Sequence, residues 1–368
     1  MKDIEYMRLA LQLAEKGLGW TSPNPMVGAV IVKNDEIIGQ GWHERYGQFH
    51  AERNALAACT QSPEGATIYV TLEPCSHHGK QPPCAEAILK AGISRVVVGC
   101  GDPNPLVSGR GIAILRDQGV EVTENILRKE CENLNQIFFH YIQTETPYVV
   151  MKYAMTMDGK IAAYTGASKW ITGEAAREHV QKERHRLTAI MVGVGTVLAD
   201  DPLLTCRIPE GKNPIRIICD THLRTPLTSR IVRTAGEVPT IIATCCNEEK
   251  RQQEYEQAGC RIVRVEERNG RVDLQRLMKR LAQEQIDSIL LEGGSVLNWA
   301  ALESGIVQKV QTYIAPKLFG GQGAKTPIGG EGVPIPADAF FLKNTSITRL
   351  GEDILLESEV IGDVHRDS

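Results

Sequence analysis

Four residues in the first quarter of the chain have the types and spacing of a catalytic metal site. His50 and Glu52 are separated by one alanine, and Cys75 and Cys84 follow after a short apolar run. Imidazole nitrogen and thiolate sulfur are donors that zinc prefers in proteins. Three such ligands leave the fourth tetrahedral position for water, whose pKa the metal lowers towards about 7. A carboxylate beside that water, here Glu52, can carry its proton.

The order His-x-Glu, then Pro-Cys, then Cys is typical of zinc-dependent base deaminases, which replace a ring amine by oxygen and release ammonia. Nucleoside deaminases usually space the two cysteines as Cys-x-x-Cys, whereas here eight residues intervene between Cys75 and Cys84. The insert contains His77, His78 and Lys80, which could reach a substrate. A structural zinc site with one of these histidines as fourth ligand is the alternative, but such a site does not need the glutamate.

The predicted elements around these residues place them at junctions between strands and helices. Apolar periodicity and turn residues predict a helix from the N-cap Asp3 to about Gly17 and further elements along the first 100 residues. Cys75 and Cys84 are each expected at a helix start, where partial positive charge favours the thiolate. The further elements are strands over 26–32, 36–42, 66–72 and 95–100 and helices over 50–59 and 83–91.

A chain of 368 residues is too long for one ordinary core and predicts two domains. A helix is expected over 126–142, and the polar Thr144–Pro147 segment then separates it from a new apolar strand at Tyr148. We therefore expect domains over 1–146 and 147–368. The second half alternates helical stretches with short β-rich segments, so both domains are expected to be α/β. These segments are 189–194, 215–219, 240–244 and 288–291.

Composition argues against several classes of function. Hydrophobic residues make up 42% and charged residues 23% of the chain, and the formal net charge is −4. This balance gives no broad electrostatic reason to bind nucleic acid or an anionic membrane. The sequence contains neither a signal-peptide pattern nor an apolar run near the ~20 residues that span a bilayer, so a cytoplasmic protein is expected. Its ten cysteines are then expected to be reduced thiols.

Further recognisable motifs lie along nearly the whole chain. In the first half they are Asn24–Gly28, His50–Glu52, Glu73–Cys84 and Asp102–Pro105. In the second half they are Lys152, Met157–Ala162, Ser168–Thr172, Gly193–Pro202, Leu204–Arg207, Glu292–Ser295 and Ala315–Leu318. Together these motifs resemble the bifunctional deaminase/reductase family of riboflavin biosynthesis, and the long cysteine spacing belongs to that family's own pattern.

The resemblance implies two reactions on 2,5-diamino-6-ribosylamino-4(3H)-pyrimidinone 5′-phosphate. The N-terminal domain would use one Zn²⁺ to replace the 2-amino group by oxygen. The C-terminal domain would use NADPH to reduce the ribosyl group to ribityl. The implied folds are a cytidine-deaminase-like three-layer α/β/α domain followed by a dihydrofolate-reductase-like α/β domain.

The resemblance also implies roles for individual residues. His50, Cys75 and Cys84 would bind zinc, and Glu52 would be the catalytic proton carrier. The implied substrate contacts of the deaminase are Asn24, His43, Lys80, Asp102 and Asn104. The implied NADPH contacts are Ala154, Trp170, Thr196, Asp200, Thr221, Gly294, Ser295, Val296, Leu297, Asn298, Trp299 and Ala300. The implied substrate contacts of the reductase are Ser168, Arg184, Leu204, Arg207 and Glu292.

Local motifs for nucleotide binding are weaker than the metal motif. Glycines at 293–294, between a strand and a helix, suit a phosphate, but the chain lacks a convincing Gly-x-Gly-x-x-Gly fingerprint after a strand. One alternative is therefore a deaminase of nucleosides or RNA bases with a non-catalytic second domain. Another is a catalytically silent, zinc-stapled protein that binds a dinucleotide. The expected partners are a phosphorylated pyrimidine and further copies of the same chain, without nucleic acid or membrane.

Overall fold

Two units divide the chain at a short polar segment. The computed structural model describes residues 2–76, 82–104 and 107–361. The first unit is Met1–Glu145 and the second is Thr146–Ser368. Glu145, with φ of 54°, ends the last helix of the first unit in the left-handed region. No helix in the described part of the chain is both long and apolar enough to cross a membrane.

The first unit is a five-stranded sheet with helices packed against it. The strand order is β2-β1-β3-β4-β5, in which β1 pairs antiparallel with β2 and β3, and β3, β4 and β5 are parallel. The strands are β1 Gly28–Lys33, β2 Glu36–Trp42, β3 Thr67–Leu72, β4 Arg95–Cys100 and β5 Glu121–Thr123. The helices are α1 Lys2–Glu15, α2 Ala51–Ala57, α3 Cys84–Lys90, α4 Arg110–Asp117, α5 Arg128–Leu134 and α6 Gln136–Thr144.

Small residues let α1 and α2 lie directly on the sheet. A Cβ at Gly28 would lie 1.9 Å from the Ala10 carbonyl oxygen, and one at Gly41 would lie 2.3 Å from the Ala55 nitrogen. Asp3 is inside α1 and does not cap it. Its carboxylate instead accepts hydrogen bonds from Arg95 and Tyr69, which fix the helix to β4 and β3.

The expected single helix over 126–142 was wrong, because two helices, α5 and α6, meet at Asn135. The Asn135 side chain accepts a hydrogen bond from the Met26 amide (2.8 Å) and donates one to the Met26 carbonyl (2.9 Å). This long-range pair stabilises the backbone break at Asn135. It also holds the loop before β1 that contains Asn24.

The second unit is built on a nine-stranded sheet of order β10-β9-β8-β7-β13-β6-β14-β16-β15. The strands from β10 to β14 in this order are parallel, and β16 and β15 add an antiparallel hairpin. The strands of this sheet are β6 Tyr148–Thr156, β7 Ala189–Gly193, β8 Ile215–Cys219, β9 Thr240–Thr244, β10 Arg261–Arg264, β13 Ser288–Leu291, β14 Lys309–Ala315, β15 Leu342–Leu350 and β16 Asp353–Val360. β11 Glu267–Arg268 and β12 Arg271–Val272 pair with each other in a separate two-stranded sheet. The helices are α7 Glu174–Arg186, α8 Val194–Asp200, α9 Arg230–Arg233, α10 Glu249–Gln257, α11 Leu274–Ala282 and α12 Ser295–Glu303.

The central strands of this sheet are buried because helices cover them, as is usual for parallel sheets. All residues of β9 and β13 are buried, and the core continues into α11 through Leu277 and Leu281. The carboxyl ends of β7, β8 and β13 lie next to one another in the strand order. This edge is where open α/β sheets usually form a ligand crevice.

Candidate active sites

Three metal donors lie close together at the edge of the first sheet. His50 directly precedes α2, Cys84 is the first residue of α3, and Cys75 lies in irregular backbone after β3. Cys75 is therefore not at a helix start, which corrects the sequence-based expectation. The ligand atoms of the three residues all lie within 4.8 Å of one another. One nitrogen and two sulfurs at this spacing fit tetrahedral zinc with one open position.

The surroundings of the donors shift the pKa values of the two thiols in opposite directions and raise the pKa of the neighbouring carboxyl group. The His50 Nδ1 atom lies 3.6 Å from the Cys75 sulfur and 3.4 Å from the Cys84 sulfur. The hydrogen bond from Cys84 lowers the pKa of Cys75, and the same contact raises the pKa of Cys84. Glu52 is only 3% exposed, and burial raises the pKa of its carboxyl group.

A cavity of about 330 Å³ opens beside the donors and is lined by Asn24, His43, His50, Glu52 and Cys75 among others. The His43 Nδ1 atom donates to the Phe49 carbonyl at 2.9 Å, so its Nε2 atom can accept from the Asn24 amide at 3.3 Å. Burial lowers the pKa of His43, which favours this neutral form. The ring of His43 also contacts that of His50, with centroids 5.4 Å apart.

Asp102 and Asn104 line the same cavity from the loop after β4. The Asn104 amide donates to the Asp102 carboxylate at 2.8 Å. Asp102 is 8% exposed, and burial raises its pKa to about 6. The structure thus brings together the expected deaminase residues except Lys80, which lies outside the described residues together with His77 and His78.

A second cavity, of about 550 Å³, lies at the carboxyl ends of β7, β8 and β13. The glycines at the end of β13 bring backbone close to α12, since a Cβ at Gly293 would lie 2.9 Å from the Asn298 side-chain oxygen. The expected cofactor and substrate residues that line this cavity are Ser168, Thr196, Asp200, Thr221, Gly294, Ser295, Val296, Leu297 and Ala300.

The other expected contacts of the reductase do not line this cavity. Ala154 packs against a small apolar cluster that includes Tyr313, and the exposed Trp170 ring lies 5.0 Å from the Arg177 guanidinium. Asn298 is buried and donates to the Pro327 carbonyl at 2.9 Å. The remaining contacts outside the cavity wall are Trp299, Arg184, Leu204, Arg207 and Glu292.

Arg184 and Glu292 instead form a buried ion pair with Lys152. The Arg184 guanidinium donates to both Glu292 oxygens, at 2.9 and 3.0 Å, and to the Thr205 carbonyl at 3.0 Å. The Lys152 nitrogen lies 3.7 Å from Glu292. Burial alone would raise the pKa of Glu292, but the two cations outweigh burial and lower this pKa to about 2. Burial lowers the pKa of Lys152.

Sequence reasoning missed two buried charged residues, Lys152 and Glu73, as members of a site. Lys152 was named only as a residue that matches the family, and Glu73 only as part of the Glu73–Cys84 motif, with no role for either. Lys152 interrupts the apolar start of β6, and Glu73 follows the apolar strand β3, so a charge within or directly after an apolar run was the available signal. Sequence reasoning also missed His222, Arg224 and Lys325, which line the second cavity.

Models of two protein families match the chain. The cytidine and deoxycytidylate deaminase zinc-binding region matches residues 1–100. The RibD C-terminal domain matches residues 147–356. The first match contains the three metal donors and Glu52, and the second match contains all the residues that line the second cavity.

Curated relatives and solved structures are similar over nearly the whole chain. The riboflavin biosynthesis protein RibD of Actinobacillus pleuropneumoniae is 57% identical, covering 98% of this chain and 96% of the relative. The RibD protein of Escherichia coli is 41% identical over 97% of this chain and 99% of its own. A RibD structure from Acinetobacter baumannii has a TM-score of 0.88 at 38% identity, covering 98% of this chain and 99% of that one. A diaminohydroxyphosphoribosylaminopyrimidine deaminase/5-amino-6-(5-phosphoribosylamino)uracil reductase from Thermotoga maritima has a TM-score of 0.82 at 35% identity, with the same coverage.

Proposed function

Because the chain belongs to the RibD family of riboflavin biosynthesis, we propose that its two cavities carry out successive steps on one phosphorylated pyrimidine. The chain is a bifunctional enzyme, a zinc-dependent deaminase and an NADPH-dependent reductase. The substrate is 2,5-diamino-6-ribosylamino-4(3H)-pyrimidinone 5′-phosphate. The observation that carries the proposal is the cluster of His50, Cys75 and Cys84 beside buried Glu52 at a cavity.

In the deaminase cavity, His50, Cys75 and Cys84 would hold the zinc ion and Glu52 would move the proton. Zinc, when bound, supplies Lewis-acid activation of water. Glu52 would pass the first proton of the attacking water to the ring nitrogen and would then move the second proton, from the added hydroxyl group, to the amine that leaves as ammonia. Its burial suits this role, since a raised pKa brings the carboxyl closer to the pH at which it must both accept and donate.

The other residues of this cavity would orient the pyrimidinone. The side-chain amides of Asn24 and Asn104 can both donate and accept hydrogen bonds, and ionised Asp102 can accept from a ring N–H or an amine. The Asn24–His43 hydrogen bond restrains the Asn24 side chain. Lys80 is proposed as a further substrate contact on its motif alone.

In the second cavity, the residues from Gly294 to Ala300, together with Thr196, Asp200 and Thr221, would hold the cofactor. NADPH, when bound, supplies the hydride that reduces the ribosyl carbon. The start of α12 presents backbone N–H groups, which suit a phosphate of the dinucleotide. Ala154, Trp170, Asn298 and Trp299 remain proposed cofactor contacts on their motifs, although none of them lines the cavity.

The expected substrate contacts of the reductase differ in role, because Arg184 and Glu292 are already paired with each other. Arg184 already donates three hydrogen bonds to Glu292 and Thr205, so its main proposed role is to position Glu292. The more exposed Arg207 is then the better contact for the substrate phosphate. Ser168 and Leu204 would complete the pocket.

We further propose that the chain forms a homo-oligomer, that it acts in the cytoplasm and that it does not bind nucleic acid. β15 is the edge of the nine-stranded sheet, and its Leu342 and Ile347 side chains are 47% and 73% exposed. An exposed edge strand, with backbone groups free to pair on one side, is suited to pairing with another chain. All ten cysteines are free thiols, as the reducing cytoplasm favours. The net charge of −4 opposes binding to polynucleotides.

The test supplies the diaminopyrimidinone phosphate and NADPH to zinc-loaded protein and follows ammonia release and NADPH oxidation separately. We expect ammonia release without NADPH, and NADPH oxidation only after deamination. A folded, zinc-loaded protein that produces neither signal would overturn the proposal. Ammonia release without NADPH oxidation would overturn its reductase half.

A further inference from the structure

Glu73 carries a buried carboxylate at the deaminase cavity. The proposed mechanism assigns no role to this carboxylate. It directly follows β3, is 4% exposed and lines the cavity. Its backbone amide donates to the Cys100 carbonyl at 2.9 Å, which continues the pairing of β3 with β4. The position of its side chain is therefore set by the sheet. A buried charge at such a position is costly unless several donors compensate it.

Four backbone N–H groups of one segment supply this compensation. One Glu73 oxygen accepts from Gly111 at 3.0 Å and Ile112 at 3.3 Å, in the first turn of α4. The other oxygen accepts from Gly109 at 3.0 Å and Asp102 at 3.4 Å. The single carboxylate thus binds both ends of one segment, of which the structure describes residues 102–104 and 107–112.

That segment provides one wall of the deaminase cavity. Asp102, Asn104 and Val107 all line the cavity. The start of α4 also lies directly on the loop of the metal ligands, because a Cβ at Gly111 would be 2.0 Å from the Pro74 carbonyl oxygen. Glu73 lies two residues before Cys75 in the chain. It is hydrogen-bonded to the backbone of the segment that carries Asp102 and Asn104.

We propose that Glu73 is a positioning residue of the deaminase, which holds the Asp102–Ile112 segment so that Asp102 and Asn104 meet the pyrimidinone. The proposal rests on the proposed function of the first cavity. Glu73 acts through backbone hydrogen bonds and touches neither substrate nor metal. Its loss should therefore weaken substrate binding without removing zinc.

The decisive variant is Glu73→Gln, which keeps the shape of the side chain but replaces one acceptor oxygen by an N–H donor. Each Glu73 oxygen accepts from two backbone amides, so two of the four amides lose their acceptor, and the segment shifts. We expect the KM of deamination to rise about tenfold or more. We expect kcat to fall less than threefold, while zinc content and the reductase kinetics of the same chain stay unchanged. Glu73→Asp, which keeps the charge on a shorter side chain, should give a KM between that of the unmutated protein and that of Glu73→Gln.

Asp3→Asn is the matched control. Asp3 also joins separate elements of the first unit through its carboxylate, but it bonds Arg95 and Tyr69 and does not line the cavity. This variant should lower stability and leave the KM of deamination unchanged.

Three results would overturn the proposal. The first is an unchanged KM in folded Glu73→Gln. The second is loss of zinc, which would assign Glu73 to the metal loop. The third is an equal rise of KM in Asp3→Asn, which would indicate a general stability effect. If Glu73→Gln does not fold, Glu73→Asp with an unchanged KM would also contradict the proposal. Absence of ammonia release from the unmutated protein would instead refute the proposed function itself.

Discussion

The deaminase site and the reductase site place charged groups in the protein interior in different ways. In the deaminase site, the donor atoms of His50, Cys75 and Cys84 lie within 4.8 Å of one another and can share one cation. In the second unit, the single Glu292 carboxylate is paired with both Lys152 and Arg184, so one negative charge partly offsets two positive charges within the protein. The first arrangement can bind a metal cation, whereas the second pairs charged side chains with one another.

This difference predicts what the loss of one residue should do in each site. Removing a metal donor should abolish metal binding and deamination, while the sheet that positions the donors stays folded. Removing Glu292 should leave two buried cations without a counter-charge, which is costly to the fold. The four predictions below test this distinction.

Cys84→Ser should have the largest effect. Serine is a poor zinc ligand compared with thiolate, so we expect zinc content to fall far below one per chain and ammonia release to become undetectable. NADPH oxidation with the deaminated intermediate should stay normal. Metal analysis and the two separate assays measure this. The control is Cys59→Ser, outside the donor cluster, which should keep zinc and both activities. A full equivalent of zinc in Cys84→Ser would show that the ligand set is wrong.

Glu52→Gln should keep zinc and lose most deamination. The amide cannot accept the proton of the water, and general acid–base groups typically contribute about 10²–10⁴-fold to rate. The kcat of ammonia release should fall by a factor in that range, while the reductase kinetics stay unchanged. Exposed Glu64→Gln is the control and should behave as the unmutated protein does. Full ammonia release by Glu52→Gln would exclude Glu52 as the proton carrier.

Glu292→Gln should destabilise the second unit and not the first. Breaking a buried ion pair by removing one partner costs about 3–5 kcal/mol. Denaturant unfolding followed by hydrogen exchange in each unit should show this loss only in Thr146–Ser368, and NADPH oxidation should fall as well. The control is Glu357→Gln, whose partner Lys309 is more exposed and which should cost less. Equal losses in the two variants would contradict the special role of the buried cluster.

Asp102 should give deamination a pH dependence that the reductase lacks. Burial raises the pKa of Asp102 to about 6, so the carboxylate that we propose as a hydrogen-bond acceptor for the substrate is lost as the pH falls below that value. The KM of deamination should then rise about tenfold for each pH unit below 6. Asp102→Asn should have a higher KM at pH 8 and a flatter profile between pH 5 and 7. An unchanged profile in this variant would assign the titration to another group.

Sequence motifs predicted much of the deaminase site because its chemistry depends on residue type. Nitrogen and sulfur donors, a nearby carboxylate and the surrounding strands could be read from about 50 consecutive residues. The helix start at Cys75 was wrong, because the backbone after β3 is irregular there. The α5–α6 break was also missed, since it depends on the hydrogen bonds of Asn135 with Met26, 109 positions away.

The sequence by itself determined the donor set, the α/β character of both halves and the family to which the chain belongs. Only the tertiary structure decided how the buried charges are compensated. Glu73 finds its four donors 29 to 39 positions further along the chain, and Glu292 finds Arg184 at a separation of 108. A buried charge is stabilised by the groups that folding brings around it, and no local pattern of residues specifies those groups.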